Sequence, residues 1–90
     1  MNKNRRKDIA AIIGDLEALT GKLDDIKSAI ETVKDEEREG YENLTEGLQQ
    51  AENGQRMDAA ASALEEAHGE VEEIEGTIES IIANLNTASE

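Results

Sequence analysis

Ile9-Ala10-Ala11-Ile12-Ile13-Gly14-Asp15-Leu16-Glu17-Ala18-Leu19-Thr20-Gly21-Lys22-Leu23-Asp24-Asp25-Ile26-Lys27-Ser28-Ala29-Ile30-Glu31-Thr32-Val33 is the stretch that decides the fold. Its apolar residues Ile9, Ile12, Leu16, Leu19, Leu23, Ile26, Ile30 and Val33 step by three and four without a break. That spacing winds one apolar stripe along an α-helix, and it defines heptads with Ile9 at a and Ile12 at d. A second series repeats the pattern downstream: Met57, Ala60, Leu64, Ala67, Val71, Ile74, Ile78, Ile81 and Leu85. The spacing predicts helices over about residues 5–39 and 56–86, joined by a connection at 40–55.

Two such helices are expected to fold back as an antiparallel coiled-coil hairpin. One register pairs Leu16 with Ile81, Leu19 with Ile78, Leu23 with Ile74 and Ile26 with Val71. It also opposes the flanking Ile13 and Ile82, and sets Lys27 across from His68. The next register would oppose Ile13 with Glu75. A parallel dimer of the first helix would face Lys22 with Lys27, a like-charge contact. Within the connection, Gly40 reads as the stop of the first helix and Asn43-x-x-Glu46 as the start of a short helical turn. That turn carries Tyr41, Leu44 and Leu48 on one face. Asn53-Gly54 reads as the turn into the second helix. Asn43-Leu44-Thr45 also matches a glycosylation sequon, read as chance because no secretory signal is evident.

Composition sets the class. At 90 residues the chain is one domain, and it carries 22 acidic against 9 basic residues, a net charge of −13. A chain this short buries only about 60% of its unfolded surface. Large apolar side chains contribute about 1.5–3 kcal/mol each when fully buried, and a lone hairpin leaves much of each stripe wet. An all-α hairpin assembling into a helical bundle, most simply from two copies, is the expected architecture. With no Cys there is no disulfide framework and no thiolate metal site, and Tyr41 is the one aromatic residue. No apolar run nears the ~20 residues of a membrane span. These features lead us to expect a protein of a reducing compartment, the cytoplasm, with no membrane association. Residues 1–7 hold Lys3, Arg5, Arg6 and Lys7 and read as a flexible basic arm; residues 87–90 read as a disordered tail. The f positions opposite the stripes are all small: Gly14, Gly21, Ser28, Ser62, Gly69, Gly76 and Ala83. They mark either a tolerant surface or the close approach of another helix.

The run Asp35-Glu36-Glu37-Arg38-Glu39-Gly40-Tyr41-Glu42-Asn43-Leu44-Thr45-Glu46-Gly47-Leu48-Gln49, followed by Leu64-Glu65-Glu66-Ala67, resembles small acidic helical accessory proteins of tailed bacteriophages. Those proteins share a basic start, a Glu-Glu run, an Asn-Leu-Pro-Glu-x-Leu-Gln connection and a Leu-Glu-Glu-Ala helix. Thr45 stands where they carry proline. The resemblance implies a phage accessory protein acting in the bacterial host cytoplasm, and it carries over no activity.

Candidate sites divide by charge. The second helix has Glu65, Glu66, Glu70, Glu72, Glu73 and Glu79, and no Lys or Arg from Met57 to Glu90. Such a face suits a host protein with a basic surface, where it would mimic nucleic acid and block a host factor in takeover or anti-defence. The same charge disfavours direct DNA binding. An alternative reads Arg5, Arg6, Arg38, Tyr41, Asn43 and Arg56 as a pocket that sequesters a nucleotide signal at subunit junctions, because Arg forks suit phosphates and Tyr stacks on a base. A structural coiled-coil assembly protein is the second alternative. Glu65-x-x-His68 has the spacing of a di-iron helix. Its heptad positions lie outside the apolar stripe, so no metal, cofactor or catalytic residue is expected and the chain is read as non-enzymatic. The oligomer core is assigned to Ile9, Ile12, Leu16, Leu19, Leu23, Ile26, Ile30 and Val33 with Leu64, Val71, Ile74, Ile78, Ile81 and Leu85.

Overall fold

The computed structural model describes all 90 residues, and the chain is helical almost throughout. α1 spans Lys3–Glu42, α2 Glu46–Gln50 and α3 Glu52–Ala88. α1 and α3 lie side by side as an antiparallel hairpin 68 × 16 × 13 Å. Three polar contacts fix the direction: Arg6 reaches Ser89, Lys27 reaches Glu75 and Arg38 reaches Asp58. The groove that gathers Leu16, Leu19, Ile74, Ile78 and Ile81 agrees with the expected register. Lys27 departs from it, since its ammonium lies 2.8 Å from Glu75 rather than beside His68. The opposite charge draws the flexible stem along the seam. No helix is long and apolar enough to cross a membrane.

The helices are longer than the periodicity predicts, and the ends show why. Asn2 caps α1, its side chain accepting the Arg5 N–H at 2.9 Å, so residues 3–7 form a helical turn and not a flexible arm. The cations of that turn oppose the α1 dipole. Alignment with α3 relieves this, because Arg6 donates to the carbonyls of Ser89 (3.0 Å) and Glu90 (3.4 Å) at the far helix's C-terminus. α3 has no basic residue in its last turn, so its cap comes from the neighbouring helix. This contact also orders the expected tail, which is helical to Ala88.

At the other end Gly40 does not stop α1. It stays helical and packs against Met57, whose Cε lies 2.9 Å from where a Cβ would stand. The cap is Asn43, whose N–H donates to Glu39 at 3.0 Å. Thr45, and not Asn43, caps α2 by accepting the Leu48 N–H at 3.4 Å. Gly54 lies inside the first turns of α3, buried against α2, where a Cβ would strike the Leu48 carbonyl and sit 2.7 Å from Gln49 Cα. The close approach of the two helices requires glycine there; no turn does.

Within one chain the seam covers only part of the expected oligomer core. Every a position (Ile9 to Glu37, Met57 to Leu85) and every e position (Ile13, Thr20, Lys27, Lys34 and Tyr41; Ala61, His68, Glu75, Ile82 and Ser89) is buried or half-buried. The large d residues are not. Ile12, Leu19, Ile26, Val33, Ile74 and Ile81 are 40–51% exposed, and only Gly54, Ala61 and Ile78 are fully buried. The apolar stripe runs along a and d, and two helices joined as one hairpin have only one seam with which to bury it. The hairpin closes on the a/e side, where Lys27 meets Glu75 and Ile13 and Ile82 find cover, and the large d residues are left outside.

Candidate functional site

The heptad places the six acidic candidates at b, c and g, away from the seam, so their carboxylates stay hydrated. All six are exposed. Glu72 lies 3.6 Å from His68 Nδ1, and Glu65, Glu66, Glu70, Glu73 and Glu79 have no ion-pair partner. Of the α3 glutamates from Glu65 onward, Glu75 is the well-paired one, 2.8 Å from the Lys27 ammonium. The neighbouring Asp24 and the Lys27 ammonium hold the Glu75 carboxylate below its ordinary range, and hydrogen bonding to Glu75, then its charge, pushes Asp24 up.

The basic and aromatic candidates are divided between the two ends of the hairpin. Arg5 and Arg6 lie at the open end, and Arg6 is engaged on the α3 terminus. Arg38, Tyr41, Asn43 and Arg56 lie at the closed end. Arg38 binds Asp58, which raises its pKa further, and Arg56 binds Glu52 at 2.6 Å. Tyr41 is half-buried, and its carbonyl accepts from Gln49 Nε2 at 3.1 Å. One chain therefore brings no cationic pocket together. His68 faces Glu31 (3.9 Å) and Glu72 rather than Glu65, and no group of three His, Asp or Glu side chains is placed to hold a metal.

The exposed apolar face is the wet part of the stripe that a lone hairpin is expected to leave, and the structure places it at the large d residues. Leu19, Ile74 and Ile81 join Leu16 and Ile78 along a groove of about 510 Å³, rimmed by Glu70 and Glu73. The signal lies in the spacing itself: large apolar residues fill a and d along α1 and the open half of α3, more than one seam covers. A second groove of about 470 Å³ at the closed end is lined by Leu44, Leu48, Ala51 and Met57. No protein-family model, curated protein or solved structure matches the chain.

Proposed function

We propose that the chain is a non-enzymatic phage accessory protein that blocks a host factor in the bacterial cytoplasm. Its acidic α3 surface occupies a basic surface that otherwise holds nucleic acid. The observation that carries this reading is the row of exposed carboxylates on α3, unpaired at five of six positions. From Glu65 to Glu79 the helix rises about 21 Å. Six carboxylates over that length give about one charge per 4 Å, close to the roughly 3.4 Å phosphate spacing of one DNA strand. Self-association into a helical bundle is part of the proposal, supported by the exposed d residues.

The nucleotide-sequestering alternative has less support, because Arg38 and Arg56 already hold carboxylates within the chain. The test replaces Glu65, Glu66, Glu72 and Glu79 by Lys together and captures partners from host lysate. Loss of the partner held by the wild type, with helix content unchanged by circular dichroism, is the expected result. Retention of the same partner with the same salt dependence overturns the reading.

A further inference from the structure

We infer that a second copy of this chain covers the exposed d-position face, packed antiparallel about a two-fold axis so that each hairpin's open end lies on the other's closed end. The inference rests on the self-association proposed above and not on the acidic face.

Three observations lead to it. The first is area. The chain exposes 6379 Å², whereas a compact monomer of 9.8 kDa exposes about 5,200 Å². The surplus exceeds the roughly 800 Å² that each partner contributes to a stable interface. Ile12, Leu19, Ile26, Val33, Ile74 and Ile81 supply a continuous apolar strip for it.

The second is the size pattern on α3. Its d positions are Ala60 and Ala67 in the closed half and Ile74 and Ile81 in the open half. Antiparallel docking of α3 against its counterpart sets isoleucines over alanines along that helix. Parallel docking sets bulk on bulk at one end and leaves a gap at the other.

The third is charge. Lys3, Arg5, Arg6 and Lys7 make the open end basic, and Glu36, Glu39, Glu42, Glu46 and Glu52 make the closed end acidic. Only the antiparallel pair brings unlike ends together. In that pair Glu66, Glu70 and Glu73, at c and g, fall on the interface rim, while Glu65, Glu72 and Glu79, at b, still face outward.

The experiment uses the full chain, and its lack of Cys permits single-site labelling. Light scattering and native mass spectrometry are expected to give a dimer for the wild type. Leu19→Glu with Ile74→Glu, which leaves the a/e seam intact, is expected to give a helical monomer. Energy transfer between copies labelled at Gln50→Cys is expected to report a separation near the 68 Å length of the hairpin, not its 16 Å width. Lys3→Glu with Arg5→Glu is expected to weaken the dimer at least about tenfold, with rescue by Glu39→Lys and Glu46→Lys. This swap keeps the inference testable if the apolar variant fails to fold. A wild-type monomer at high micromolar concentration, a short label separation, a variant that keeps its dimer mass, or a charge swap without effect overturns it.

Discussion

At the scale of single residues, glycine carries three different meanings in this chain. Gly54 is required by contact: a Cβ there meets the α2 backbone at Leu48 and Gln49, which cannot step aside. Gly54→Ala is expected to destabilise by about 1–3 kcal/mol through overpacking, read as a lower urea midpoint and faster amide exchange in α2. At Gly40 the obstacle is the mobile end of Met57, so Gly40→Ala is expected to be close to neutral. Gly14, Gly21, Gly69 and Gly76 have nothing within 4 Å, so no helix of the same chain approaches their face. Alanine at Gly14 and Gly69 is expected to stabilise by about 0.5–1 kcal/mol each, measured by thermal unfolding. A loss of stability there would show that another molecule uses that face. The sequence marks Gly40 and Gly54 as special but reads both as punctuation, because a turn and a close approach leave the same residue behind.

At the scale of the elements, the periodicity gives two long helices and their antiparallel pairing, and it does not say which side of the a/d stripe closes within one chain. That choice depends on long-range partners. Lys27 at e finds Glu75 at e, an arrangement that a pattern of apolar residues does not encode. The pair makes the seam sensitive to pH. Glu75 raises Lys27 above its ordinary 10.5, so the stabilisation is complete below that value and is lost as pH rises through the folded-state pKa. Lys27 and Asp24 lower Glu75 below its ordinary 4.5, so its share is present above that value and fades as pH falls. Asp24 shifts the opposite way and softens the acid side. Lys27→Met is expected to unfold at lower urea than the wild type near neutral pH. The gap is expected to close above pH 10.5 and to narrow only partly below 4.5. A gap constant across that range would rule out the ion pair as its source. The helix ends were the least legible part, because Arg6 caps a helix whose last residue lies at the opposite end of the sequence.

At the scale of the whole molecule, the candidate sites separate by how they were written into the chain. The acidic face needs only helical spacing and solvent, and all six of its residues stand exposed as the pattern implies. The cationic set needs residues at opposite tips of a 68 Å rod to converge, and no single hairpin can do that. The apolar face is a property of neither helix alone. It exists because one seam is narrower than the stripe it must bury, which makes the isolated hairpin an incomplete object.

The hairpin also sets an order of assembly in time. The Arg38–Asp58 contact at the closed end spans 20 residues, whereas Arg6 and Ser89 at the open end are 83 apart. Two doublings of loop length cost roughly 1.2 kcal/mol in closure entropy if the tips meet first. Folding is therefore expected to nucleate where Met57 meets Gly40 and to close toward the tips like a zip. Met57→Ala is expected to slow refolding with a φ-value above about 0.5, while Leu85→Ala acts mainly by speeding unfolding. Rapid-mixing measurements on both variants read that order directly, and equal φ-values at the two ends would exclude it.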